Sequence, residues 1–422
     1  MNTYLMEFMR RISLLFLFCY CCGVLFPQHH RTLRDDVCTL RCEVDGRLSA
    51  LPVIQLQGAQ LMHVSFDQMS HDNLRFFYRV EHCDFNWKPT EGLFAAEFME
   101  STQTDVPIEN HSESRNTSTL YTHYSFSFPN GEMRPLISGN YRITIFDDNG
   151  EKSTPVAEVC CRVVEPIVGV QAQVSSNTDI DWNARHQQVS VELNAQALPS
   201  NDLREALKVE IVQNADVDCA VVAPAPTLTR GGTLIWQHCP DLIFRAGNEY
   251  RSFEMLSTRF PGMHMERIEW FPPYFHTTLQ TDEPRKNYLL VGDSNGTSVI
   301  RNTDNQDNAT ESEYVFVHFS LQSSPLPNTE IYIDGQWTNG PPQQYRMTYD
   351  EQRQAYEAAL WLKQGYYSYR YLTLEKKVGH PTDSSLIEGD FFQTTNDYTI
   401  LIYYQRPGER YTRLVGATTA KS

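Results

Sequence analysis

The sequence predicts a mostly β protein made of tandem immunoglobulin-like β-sandwich domains. Three observations carry this. Aromatic residues reach 12%, with 22 Tyr and 22 Phe, types that suit a pleated, half-buried surface. Short runs with period-two alternation recur along the chain, separated by Gly, Asn and Pro, as in sandwich folds. The 422 residues also exceed what a single hydrophobic core usually fills, so several domains are expected.

The chain opens on a targeting signal. Arg10 and Arg11 precede the apolar run Ile12 to Phe26. A positive head followed by a short apolar run reads as a secretory signal peptide over 1–27. The run is short for a membrane-spanning helix; the alternative is an uncleaved anchor. The residues before Cys19, Cys21 and Cys22 are bulky where lipidation wants small ones. No later stretch is apolar enough to span a bilayer, so no span is expected in the mature chain. A formal net charge of −17 repels phosphates and argues against nucleic acid as a partner. Seven cysteines follow the leader, an odd number, so at least one cannot pair within the chain. Export permits disulfides, with Cys38–Cys42 and Cys219–Cys239 as candidate bridges.

A first domain is read over 28–165. Leu74 to Val80, Tyr124 to Phe128, Asn140 to Phe146 and Val159 to Val164 read as strands, with a turn at Asp147-Asp148-Asn149-Gly150. Glu165-Pro166 marks its end, because Pro disrupts a central strand. The second domain, 166–282, holds alternating runs at Val189 to Leu193 and Val209 to Val212. It also holds one short helix at Asn201 to Leu207, capped by Ser200 or Asn201. The third, 283–422, contains strands at Tyr314 to Leu321, Ile331 to Ile333, Tyr366 to Leu372 and Tyr398 to Tyr404. Its polar stretch Asn302 to Thr310 reads as a mobile loop. Gln354 to Leu362 has the composition of a helix, but its spacing between two turns favours a strand.

The search for chemistry yields turns and packing. Gly292-Asp293-Ser294-Asn295-Gly296 places a Ser between glycines, but a nucleophile elbow needs a helix to follow. Here Thr-Ser-Val-Ile-Arg follows, so a hairpin turn is expected. His82-Cys83-Asp84 and His238-Cys239 lack the paired spacing of a structural zinc site and read as buried strand ends. Asp147 to Glu151 lacks the alternating ligands of an EF-hand loop. No catalytic residue, metal site or cofactor is assigned.

Several runs are too unusual for generic strands. They are Tyr78 to Asp84 (with Glu81, His82, Cys83 and Asp84) and Trp87; Arg115-Asn116-Thr117 with Tyr121-Thr122-His123-Tyr124; and Ser138-Gly139-Asn140-Tyr141. Gly247-Asn248-Glu249-Tyr250-Arg251-Ser252-Phe253, Lys363-Gln364-Gly365-Tyr366-Tyr367 and Asn396-Asp397-Tyr398 follow. Arg406-Pro407-Gly408-Glu409-Arg410-Tyr411 with Leu414-Val415-Gly416 closes the series. In this order, from Leu51 to Gly416, they resemble the plug protein family of the type IX secretion system of Bacteroidota. Thr412 departs from the pattern, which has an acidic residue there, and so does the loop at Asn302 to Thr310.

The resemblance implies a periplasmic protein associated with the outer membrane through its partner, the type IX translocon β-barrel (SprA/Sov-like). It implies that the chain closes the barrel's periplasmic mouth, as a binding protein rather than an enzyme. The family role of each motif residue, structural or at an interface, is open, and so is the oligomeric state. The third domain is also similar to early-set immunoglobulin-like modules, through Ile331 to Trp337, Tyr356 and Gly365 to Tyr369. That likeness carries the rival reading, an exported carbohydrate binder with Trp337 stacking on a sugar. The bland alternative is that Trp337 packs beneath its own turn.

Overall fold

The computed structural model describes residues 28–101, 103–149, 152–199, 203–375 and 382–422. The expected signal peptide with Cys19, Cys21 and Cys22, the helix caps Ser200 and Asn201, and Gly150 and Glu151 of the turn lie outside them. The described chain is mostly β, arranged as tandem sandwiches around three main cores.

In the first unit, one sheet runs Arg31–Thr32, Thr154–Val164, Gly139–Asp147, Phe76–Cys83, Asp105–Pro107, with Val53–Gln55 parallel to the end of Thr154–Val164. The facing sheet runs Arg47–Leu48, Val37–Val44, Met62–Gln68, Thr122–Phe128, Asn110–Glu113. Alternation drives the packing: Met62, Val64 and Phe66 of one sheet meet Tyr78, Tyr141, Ile143 and Ile145 of the other, all buried.

The second unit corrects the expected boundaries. Its first sheet, around His186–Asn194, lies within 166–282. Its other sheet is ordered Val221–Val222, Leu207–Gln213, Asp397–Tyr404, Arg413–Lys421. Ile211 pairs with Ile400 and Val209 with Ile402, and all four side chains are buried in the second core. The chain therefore leaves the second unit, builds the third, and returns. The third domain does not extend to residue 422, because the apolar faces of the last two strands are buried against Val189, Val191 and Trp236.

The third unit pairs a sheet around Gly365–Glu375, with Arg251–Met255, Ser298–Ile300 and Thr329–Asp334, against a second sheet. That sheet is ordered Met265–Phe271, Tyr274–Leu279, Tyr314–Gln322, Ala355–Lys363, Thr348–Asp350. The ambiguous segment is thus a strand, and Asn295 and Gly296 (φ 48° and 80°) make the turn before Ser298–Ile300. A short helix stands at Leu203–Ala206.

Two expectations fail. All seven described cysteines are free. Cys42 faces the first core while Cys38 sits at a bulge against the Asp35 carbonyl; Cys219 lies against Thr382 while Cys239 is in the second core. The stretch Asn302 to Thr310 is not a loose loop. Its short polar side chains bond one another: Asn308 Oδ1 accepts from Asn302 N at 2.9 Å, and Asp307 Oδ2 from Thr310 Oγ1 at 2.9 Å.

Candidate functional site: the buried joints between the units

The motif residues converge on the seams where one unit meets another. The first seam joins units one and three. Asp67 lies near the end of the strand Met62–Gln68, which alternates Met62, Val64, Phe66 inward with Ser65 and Asp67 outward, yet that outward face is covered and Asp67 is fully buried. Lys363 Nζ donates to Asp67 Oδ2 at 2.6 Å and to the Ala309 carbonyl at 2.6 Å. Tyr314 Oη donates to Asp67 Oδ2 at 2.7 Å, and His123 Nδ1 lies 2.6 Å from Asp67 Oδ1. The ammonium sits 4.1 Å from the centroid of the Tyr121 ring, a cation–π contact in a dry site. Burial opposes the Asp67 carboxylate, but Lys363 and His123 overcome it and hold its pKa below the usual value. Burial pulls the Lys363 pKa down, with Asp67 acting against it.

The same seam is reinforced by Glu313, which accepts from Ser118 Oγ at 2.8 Å and Thr119 N at 3.2 Å. Gln364 Oε1 in turn accepts from Glu313 N at 2.8 Å. Gly365 is required by close approach: a Cβ there would lie 2.3 Å from the Val299 carbonyl.

The second seam lies where the chain passes between units two and three. Arg251 Nε donates to Glu388 Oε1 at 3.0 Å and Nη1 to Asp282 Oδ1 at 2.6 Å. Asp282 Oδ2 also accepts from Tyr369 and Tyr371 hydroxyls at 2.7 and 2.8 Å. Asn248 Nδ2 donates to the Glu388 carbonyl, and Glu249 Oε1 accepts from Tyr288 Oη and from Thr395 N at the start of the returning segment.

The third seam, between units one and two, is built from rings. Trp87 is 1% exposed and lies 4.8 Å from the Arg162 guanidinium, with Cys83 and Cys160 packed beside it. His82 Nδ1 is 2.8 Å from Thr90 Oγ1, and its ring meets Tyr141 and Tyr411 edge-on. Burial pushes the His82 pKa down to about 4, so the ring is neutral. Gly139 (φ 141°) lets the chain pass: a Cβ would lie 2.4 Å from His82 Nε2 and 2.9 Å from the Thr412 carbonyl. Thr412, the residue that departs from the family pattern, donates from Oγ1 to Gln405 Oε1 at 2.7 Å. Tyr403 Oη donates to Asn140 Oδ1 at 2.9 Å, Asn140 Nδ2 to the Asp84 carbonyl. Asp84 Oδ1 also caps the turn by accepting from Asn86 N and Lys88 N.

Other motif residues stand apart from the seams. Glu81 pairs with Arg142 at 3.0 Å on the sheet face. Tyr124 stacks on Phe66 inside the first core. Arg406-Pro407-Gly408 is a tight turn closed by Glu409, whose Oε2 accepts from Arg406 N at 2.9 Å. Trp337 packs under its own turn: Nε1 donates to the Ser368 carbonyl at 2.8 Å and the ring lies edge-on to Tyr367. Asp67, Asp282, Glu313, Glu388 and Arg162 were not singled out by sequence. Their partners lie far along the chain: Glu388 is 17 positions from Tyr371, Asp282 31 from Arg251, Glu313 51 from Gln364 and Asp67 296 from Lys363.

This is a class of protein defined by rigid seams between β-sandwiches. The matched family gives it an identity: residues 37–165 match the model of the type 9 secretion system plug protein 1st domain, and the chain belongs to the type IX secretion plug family. A crystal structure of a hypothetical protein from Parabacteroides merdae is 34% identical, with a TM-score of 0.89, covering 94% of this chain and 100% of that one. The C-terminal domain of the Streptococcus agalactiae antigen I/II polypeptide BspA (8% identical, TM-score 0.16, 93% and 99% covered) carries no argument. Neither does dimeric latent PorU from Porphyromonas gingivalis (8%, 0.16, 94% and 34%). No curated protein matches the chain.

Proposed function

We propose that this chain is a periplasmic, non-catalytic plug that binds the periplasmic end of the outer-membrane type IX translocon barrel and seals it. Family membership carries the reading. The architecture supports it: a seal must hold its shape under load, and the seams tie three sandwiches into one body through buried hydrogen bonds and ion pairs. Its three-unit organisation, with a second unit completed by the returning C-terminal strands, would give the partner a single continuous surface. Export through the leader at 1–27 belongs to the same proposal. Co-purification from detergent-solubilised outer membranes tests it: the chain should travel with the translocon, and consistent separation from it sinks the reading.

The carbohydrate reading loses its anchor in the geometry of Trp337. The indole N–H is spent on the Ser368 carbonyl and the ring lies edge-on to Tyr367, which supports a packing role for this residue. Trp337→Phe is expected to leave retention on glycan affinity gels unchanged.

A further inference from the structure

We propose that a cavity between units one and three takes an extended, uncharged polypeptide segment of a partner protein as an added β-strand. The proposal does not depend on the plug reading. Strand Ala355–Lys363 is paired along its length with Tyr314–Gln322. On its other side, Thr348–Asp350 covers only Ala355 to Glu357. The chain preceding Thr348 turns away to the opposite sheet, where Met347 N donates to the Ile331 carbonyl at 2.8 Å and Arg346 bridges Tyr332. No strand of the described residues lies beside Ala358 to Leu362 on that edge.

The ladder's phase shows what the edge offers. Gln364 N donates to the Glu313 carbonyl at 2.8 Å, which makes that pair a hydrogen-bonded one. In an antiparallel ladder such pairs alternate. Leu362 and Leu360 therefore spend their backbone groups on the neighbouring strand, while Ala359 and Trp361 direct theirs at the bare edge. The edge reads Ala358-Ala359-Leu360-Trp361-Leu362, without a charge or a Pro. By contrast, the edge strand Met265–Phe271 of the same sheet carries Glu266, Arg267 and Glu269, the charges that protect such edges.

A half-open cavity of about 330 Å³ lies against this edge, walled by Val37, Leu40, Trp337, Tyr345, Ala359 and Trp361. That is at the small end of the usual range for ligand pockets. The buried Trp361 Nε1 has no hydrogen-bond acceptor among the described residues, so a carbonyl added along this edge would satisfy it. The cations around the cavity are matched, Arg34 by Asp36 and Asp147 and Arg41 by Glu43, and Asp35 accepts from the Gln344 amide at 3.3 Å. The lining thus offers no cation for an anionic occupant, and the bare edge itself carries no charge, which suits an uncharged segment. Alternating backbone donors and acceptors, apolar walls and one indole donor fit a peptide backbone with apolar side chains, the chemistry of strand addition. The cavity also continues the seam at Tyr314 and Lys363, one residue pair further along the same ladder.

The test uses the full chain and a positional library of nonapeptides that alternate Val, Ile or Leu with Thr or Ser, read by fluorescence anisotropy. Saturable binding is expected. Ala359→Pro removes an N–H that the existing ladder does not use, and should weaken binding roughly tenfold. N-methylation of alternate amides in the peptide should do the same on the unaltered protein, a result that does not depend on any variant folding. Trp361→Phe, which keeps the ring and removes the N–H, should weaken it severalfold. Absence of binding across the library overturns the proposal. So does affinity that ignores both Ala359→Pro and N-methylation, which would mean apolar adhesion without backbone pairing.

Discussion

The two seams of the first unit are built in opposite ways. Against the third unit it presents a carboxylate, Asp67, held by an ammonium, a phenol and an imidazole. Against the second it presents rings, a neutral histidine and neutral side-chain hydrogen bonds, with Arg162 covered by Trp87. A buried ion pair adds little net stability, because desolvation consumes most of its attraction. It does fix one geometry, since any arrangement that parts the pair leaves a bare charge in a dry site. Stacked rings and apolar contacts tolerate small shifts and weaken gradually. The seam with the third unit therefore fixes its register through a charge pair, and the seam with the second unit through packed rings around the buried Arg162.

This contrast can be broken first at the charge pair. Lys363→Met leaves Asp67 buried without its cation and should cost about 3–5 kcal/mol in denaturant unfolding. The double change Lys363→Met with Asp67→Leu should recover most of it; if it does not, the seam is not a charge pair in the sense described.

Acid should separate the seams next. His82, and His30 whose Nδ1 accepts from Cys160 N beside Trp87 at 3.2 Å, are both lowered by burial to about 4 from an ordinary value of 6.5. Between those values the unfolded chain binds more protons, so stability is complete above about pH 6.5 and falls as the pH drops towards 4. Each histidine contributes up to about 3 kcal/mol. His82→Gln should flatten the stability-against-pH curve over this window; an unchanged slope would show that the ring is not held neutral. Asp67 adds a loss at still lower pH, since its depressed carboxyl stabilises only while ionised.

Smaller effects sharpen the picture. Gly139→Ala places a methyl against His82 and a non-glycine at positive φ, and should cost about 1–3 kcal/mol. The bridge Arg410–Glu97 also crosses from unit two to unit one, at 2.6 Å, but Arg410 is exposed and Glu97 partly so. Arg410→Ala should leave the melting temperature unchanged within error.

Much of the fold was legible before the structure. Alternation located many of the strands, spacing between two turns marked Ala355–Lys363 as a strand against its helical composition, and residue types marked the Asp293-Ser294-Asn295-Gly296 turn. The motif order indicated the family. The seams were hidden for a physical reason: Ser65 and Asp67 alternate with apolar residues, which is how a solvent-facing strand reads, and nothing local says that another unit covers them. The return of Asp397–Tyr404 and Arg413–Lys421 to the second unit was hidden likewise, since a buried strand does not name its partner. The polar stretch Asn302 to Thr310 misled in the other direction. Short polar side chains signal turns, and here those turns are locked to one another and bring the Ala309 carbonyl onto Lys363.

The central claim, that this rigid body closes a secretion channel, is tested most directly by conductance. The purified translocon barrel, reconstituted in planar bilayers, would be recorded before and after addition of this chain to the periplasmic side. The account predicts that the open-channel current falls in a saturable way and returns when the chain is washed out. An unchanged current at saturating chain would contradict it.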